Sequence, residues 1–103
     1  MFSDLVFENE RIDDLQTDGL KIIQNPEWFC FGTDAVLLAD YASKSIKKNA
    51  RVLDMCSGNG IISLLLSVKS KASEIYGLEV QSCVAEMASR SVKMNGLEDK
   101  IKM

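Results

Sequence analysis

The chain has 103 residues, 47% apolar and 26% charged, a balance that fits one small soluble globular domain and leaves no room for a second. It contains no histidine, so histidine-based catalytic triads and His-ligated metals are ruled out, and Cys30, Cys56 and Cys83 are too widely spaced for a zinc knuckle. The net charge of −3 hides an asymmetry: residues 1–40 carry nine acids against Arg11 and Lys21, whereas the rest carries ten bases against six acids.

A phosphate backbone is therefore expected to avoid the N-terminal segment, and any nucleic-acid contact to come from the later part or from residues outside this chain. Met1 to Glu10 alternates acids with apolar residues and lacks a basic start, so no secretory leader is expected. No apolar run approaches the ~20 residues of a membrane span. A soluble, cytoplasmic protein without a membrane or metal partner is the expectation.

In chain order, the start reads as β structure. Leu5-Val6-Phe7, then Ile12 and Leu15, then Leu20 to Ile23 predict strands, with Asp18-Gly19 as the hairpin turn. Asn25-Pro26-Glu27 ends the ribbon, because proline has no N–H for a ladder. Thr33 is placed to cap a helix running to about Ser45, with Ala35, Leu38 and Ala42 on its apolar stripe. Lys44, Lys47 and Lys48 gather at its C-terminal end, where cations suit the helix dipole better than they argue a nucleic-acid patch.

Arg51 to Met55 predicts a short strand, and Ile61, Leu64, Leu65 and Val68 the buried stripe of the next helix. Glu74 to Leu78 predicts another strand. Gln81 to Asn95 predicts a third helix, with Val84, Met87, Ala88 and Ser91 on one face and Asn95-Gly96 as its cap. Ile101 to Met103 opens a further strand. The fold class is α/β: a ribbon and a helix, then a parallel β-α-β-α-β half of a doubly wound sheet. Residues 1–32 form the ribbon unit and 33–103 the cofactor-binding half. A half sheet leaves an open edge and an uncovered apolar face. We expect the chain to be a truncated piece of a longer enzyme, with self-association through that edge possible.

The chemistry sits in Asp54-Met55-Cys56-Ser57-Gly58-Asn59-Gly60, which joins a strand to a helix. Gly58 and Gly60 permit a sharp turn and a close approach of backbone to ligand. Glu79 ends the following strand, where a carboxylate can accept from both hydroxyls of a ribose. A dinucleotide loop carries a third glycine where Ser63 stands, and it needs a helix N-terminus against a pyrophosphate. S-adenosylmethionine has no phosphate, and Asp54 can serve its cationic methionine part, so these residues favour that cofactor. A nicotinamide-dependent oxidoreductase and a non-catalytic cofactor-binding fragment are the alternatives. Cys56 has no base beside it and reads as packing.

On these residues the chain resembles the N-terminal half of class I S-adenosylmethionine-dependent methyltransferases, a Rossmann-like fold. Within them it is most similar to the bacterial family that methylates the exocyclic amine of adenine in valine tRNA. The resemblance rests on Glu10 to Gln16, Gly19 to Gln24, Phe31 to Ala39, the loop Asp54 to Gly60, and Met87 to Leu97. It implies a tRNA-modifying enzyme whose nucleic-acid partner is bound by parts outside this chain. It further implies that Phe31, Gly32, Thr33 and Asp34 lie over the methionine end of the cofactor. Asp54 and the loop Cys56, Ser57, Gly58, Asn59 and Gly60 would lie beneath it, and Glu79 with Val80 at its ribose. Cys56 and Ser57 stand where relatives often carry Gly and Thr. The Asn-Pro-Pro-Tyr-type motif of adenine-amine methyltransferases does not follow Glu79, so no catalytic residue is assigned. Asn25-Pro26-Glu27-Trp28 is an imperfect copy that lacks the second proline and precedes the cofactor loop.

Overall fold

The computed structural model of the protein describes residues 4–103. Among them the elements are β1 (Arg11–Asp14), β2 (Lys21–Gln24), α1 (Thr33–Ser43), β3 (Arg51–Met55), α2 (Ile61–Lys69), β4 (Glu74–Leu78), α3 (Ser82–Met94) and β5 (Ile101–Lys102). The α/β class with an N-terminal hairpin and a parallel half sheet is what the sequence predicts.

β1 and β2 pair antiparallel, with Ile12 opposite Ile23, and the turn between them uses left-handed Gln16, Asp18 and Gly19. Ile22 and Ile23 are fully buried. The free edge of β2 is closed by side chains of α3 and its C-cap rather than by a third strand: the Ile23 N–H donates to Ser91 Oγ (2.9 Å), and the C-cap Asn95 takes the Lys21 N–H on Oδ1 (2.9 Å) while its Nδ2 donates to Lys21 O (2.6 Å). Buried backbone groups need partners, and these polar side chains supply them where a ladder ends.

The strand expected at Leu5 to Phe7 is a turn instead. Its backbone is satisfied by side chains: Leu5 O accepts from Arg90 Nη1 (2.6 Å) and the Phe7 N–H donates to Glu10 Oε1 (2.8 Å). Leu5 and Val6 pack against Ile23, Met87 and Met94 as a small second core. With these groups bonded to Arg90 and Glu10, the apolar run has no need of a sheet.

Helix α1 also departs from the expected pattern. Its N-cap is Gly32, without a side-chain cap, and Thr33 is the first helical residue. The face toward α2 is built from Ala35, Val36, Ala39 and Ala42, whereas Leu38 is 53% exposed with Leu37 and Tyr41 beside it. Small alanines let two helices approach closely, and this contact shifts the buried stripe by one position.

β3, β4 and β5 form a parallel sheet in that order, with Leu53 opposite Tyr76 and Ile75 opposite Ile101. One face buries Val52, Ile75 and Ile101 against Ile61, Leu64 and Leu65 of α2 and Val92 of α3. The other leaves Leu53, Met55, Tyr76 and Leu78 exposed, as an uncovered sheet face requires. The segments following β3 and β4 emerge side by side at the carboxyl edge of this sheet, where open α/β folds place their ligands.

Candidate functional site

The turn after β3 is built around left-handed backbone at Cys56 (φ +57°), Gly58 (φ +57°) and Gly60 (φ +89°). The Ser57 N–H donates to Leu78 O (3.0 Å), extending the β3–β4 ladder into the loop, and the Gly60 N–H closes back on Ser57 O (3.0 Å). Gly60 is the N-cap of α2, and Asn59 Oδ1 accepts the Ile61 N–H (3.2 Å) in the first turn. A Cβ on Gly60 would lie 3.3 Å from Met103 Cε and 3.4 Å from Ala88 Cβ. Gly60→Ala therefore combines a left-handed penalty of about 1–2 kcal/mol with crowding. Chemical denaturation should show a loss of at least that size, and an unchanged midpoint would mean the turn relaxes without cost.

Glu79 locks the loop to the end of β4. Its Oε1 accepts the Gly58 N–H (2.9 Å) and its Oε2 the Gln81 N–H (3.0 Å), so one carboxylate bridges the glycine turn and the start of α3. Asp54 lies behind the loop. Its Oδ2 accepts from Ser63 Oγ (2.7 Å), and burial raises its pKa above the usual carboxylate value while the Ser63 bonds oppose that rise. Ser63, at the position of a dinucleotide loop's third glycine, is thus occupied in holding Asp54. Ser57 Oγ is buried and has no hydrogen-bond partner among the described residues. An unpaired buried hydroxyl is costly unless a ligand or water meets it.

Above the loop opens a cavity of about 590 Å³, within the range of small-molecule sites. Cys56, Ser57, Gly58 and Asn59 line its base. Glu79, Gln81, Cys83, Val84 and Met87 line the α3 side, and Trp28, Phe29, Phe31, Gly32, Asp34 and Ala35 the opposite wall. Of the residues singled out from sequence, Phe31, Gly32, Asp34, Cys56, Ser57, Gly58, Asn59 and Glu79 meet at this cavity. Thr33, Asp54, Gly60 and Val80 are not in its lining, and Val80 is 94% exposed. The Asn25-Pro26-Glu27-Trp28 copy is a local turn: Asn25, 4% exposed, holds it with Oδ1 on the Glu27 N–H (2.9 Å) and its carbonyl on the Trp28 N–H (3.0 Å). Among the described residues, no group of three or more Cys, Asp or Glu could hold a metal ion, and no helix is long and apolar enough to cross a membrane.

Residues 35–103 match the TRM5/TYW2 methyltransferase domain. The chain belongs to that family. It is 34% identical over 68 residues to the tRNA1(Val) (adenine(37)-N6)-methyltransferase of Flavobacteriaceae bacterium strain 3519-10, covering 66% of this chain and 29% of the relative. It is also 34% identical over 99 residues to the 23S rRNA (uracil(747)-C(5))-methyltransferase of Pyrococcus horikoshii, covering 93% of this chain and 23% of that protein. The chain thus spans less than a third of either relative. In fold it is similar to M. jannaschii TYW2 solved in complex with AdoMet, with a TM-score of 0.75 at 20% identity over 94% of this chain and 43% of that one. The matching family model is a methyltransferase domain, not a nicotinamide-dependent one.

The TRM5/TYW2-type domain of this chain has walls that sequence reasoning missed. Trp28, Phe29, Gln81, Cys83, Val84 and Met87 all line the cavity. Gln81 and Cys83 have a signal in Glu79, since the residues just after an acid at that strand end begin the next helix. Trp28 and Phe29 carried no spacing signal, because the chain folds back over the loop only through tertiary contacts of the hairpin.

Proposed function

We propose that this domain binds S-adenosylmethionine over the Cys56–Asn59 loop. It then serves as the donor half of an enzyme that methylates the exocyclic amine of adenine in tRNA. The observation that carries the reading is the Glu79 carboxylate, anchored by two backbone N–H groups at the cavity wall, one of them from the glycine turn. Each of its oxygens keeps a lone pair for a ribose hydroxyl. The residues present fit the cofactor in three further respects: the unpartnered Ser57 hydroxyl at the base, the half-buried acid Asp54 behind the loop, and a third-glycine position given to Ser63.

When bound, S-adenosylmethionine supplies an electrophilic methyl group on a sulfonium. The chain's own contribution is binding and alignment. Glu79 would fix the nucleoside end, the turn Gly58 to Gly60 would let backbone approach without a Cβ, and the Trp28 to Asp34 wall would flank the cofactor from the other side. Three relatives named for adenine N6 of tRNA1(Val) cover 59–70% of this chain, against one named for uracil of 23S rRNA, so tRNA is the favoured acceptor.

Isothermal calorimetry on the full-length protein tests the donor. S-adenosylhomocysteine should bind with a 1:1 stoichiometry and NAD should not; binding of NAD alone would sink the proposal. For the acceptor, label from S-adenosylmethionine should appear as N6-methyladenosine after digestion of tRNA. Label on uracil or on protein would reassign it.

A further inference from the structure

We propose that Gln24, at the end of the hairpin, is a positioning residue of the donor site. It would set the spacing between the glycine loop and the Trp28–Asp34 wall. Gln24 is 2% exposed and does not line the cavity, yet its amide joins three parts of the structure. Oε1 accepts both the Asn59 Nδ2 (2.8 Å) and the Phe31 N–H (3.0 Å), and Nε2 donates to Asp13 Oδ2 (2.5 Å).

The orientation of this amide is forced by its partners. Two donors meet one end and a carboxylate meets the other, so only one flip satisfies all three. Asn59 then passes the constraint on, because its Oδ1 holds the first turn of α2. One buried acceptor therefore ties the base of the cavity, at Asn59, to its opposite wall, at Phe31. Asp13, itself paired with the exposed Arg11 (2.8 Å), fixes the amide from β1. A cavity whose two sides are held by one side chain loses its spacing when that side chain changes, even though no ligand atom touches it.

The inference rests on the donor-site reading, and the experiment separates the two. Affinity for S-adenosylhomocysteine is measured in the full chain well below each variant's unfolding transition, together with the fluorescence anisotropy of Trp28, the sole tryptophan, without ligand. Gln24→Glu keeps the acceptors but sets two carboxylates against each other. It should weaken binding at least tenfold and lower Trp28 anisotropy. Adding Asp13→Asn returns a donor to face the new carboxylate, and Arg11 is free to turn to solvent. The double variant should recover affinity to within about threefold and restore the anisotropy.

A hairpin brace with no role in the site would lower the melting temperature while leaving affinity and anisotropy alone, and that result overturns the inference. So does a double variant that stays as weak as the single one. Absence of binding by the unaltered protein would remove the donor-site reading, and the positioning role with it, whereas tight binding that ignores every Gln24 change removes the positioning role alone. Should Gln24→Glu fail to fold, Gln24→Met, which keeps the length and loses the polar ends, is read in the same two measurements.

Discussion

Replacing Glu79 with alanine is expected to weaken S-adenosylhomocysteine binding by roughly tenfold to a hundredfold, the counterpart of about 1.5–3 kcal/mol for hydrogen bonds to a charged group. Two effects add. In the proposed donor site the ribose hydroxyls lose their acceptor, and the N–H groups of Gly58 and Gln81 lose the carboxylate that joins the turn to α3. Glu79→Gln separates them, because the amide keeps one acceptor oxygen while its NH2 faces a backbone donor. It should fall between wild type and alanine in affinity. Equal affinities for all three proteins, read by calorimetry, would take Glu79 out of the site.

The largest expected loss of stability belongs to Arg90→Ala. Arg90 projects from α3, is 8% exposed, and its Nη1 and Nη2 grip the two oxygens of Glu10 at 2.6 and 2.8 Å. The Glu10 side chain is only 3% exposed. Arg90 also bonds Glu86, takes the carbonyl of Leu5 and lies 3.7 Å over the Phe7 ring. Removing one partner of a buried pair strands the other charge, and the cost is about 3–5 kcal/mol. In a domain of this size that lowers the melting temperature by well over ~10 °C. A double change, Arg90→Met with Glu10→Leu, removes both charges and should recover much of the loss.

The same pair sets an acid limit. The Arg90 hydrogen bonds hold the Glu10 carboxyl below its ordinary value of 4.5, against the opposing effect of burial. A depressed folded-state pKa contributes stability above the unfolded value and loses it as pH falls through the lower folded value. Melting temperature should therefore drop below pH 4.5 in the wild type and drop less steeply in the double variant. Parallel curves would show that other carboxylates govern acid unfolding.

Much of the α/β frame is legible in the sequence because local and tertiary signals agree there. Arg51 to Met55 and Glu74 to Leu78 are apolar runs bounded by polar turns, and they form strands over those spans. The turn at Gly58 and Gly60 lies where glycine spacing puts it, since left-handed backbone favours that residue type, whereas the left-handed Cys56 of the same turn carries no such signal. Legibility fails where a long-range polar bond decides the outcome. Leu5 to Phe7 has strand composition, but Arg90, 85 residues away from Leu5, captures its carbonyl. Leu38 has helical spacing, but α1 meets α2 through alanines and turns it outward.

The cavity follows the same division. Its base and the acid at its side come from one contiguous motif and a following strand end, and both are written in local spacing. The wall of Trp28 and Phe29 depends on Gln24 reaching Asn59 across 35 positions of sequence. Nothing in a period or a motif announces that a glutamine closing an apolar strand will accept two hydrogen bonds from elsewhere.

The central claim is that the space between Glu79 and the Trp28–Asp34 wall holds the methyl donor. The most direct measurement is a crystal structure of the full chain grown with S-adenosylhomocysteine. The ligand should lie over Cys56 to Asn59 with its ribose hydroxyls on the Glu79 carboxylate and a polar atom, of ligand or bridging water, on Ser57 Oγ. Ligand density at any other place, with this cavity holding only solvent, would contradict the claim.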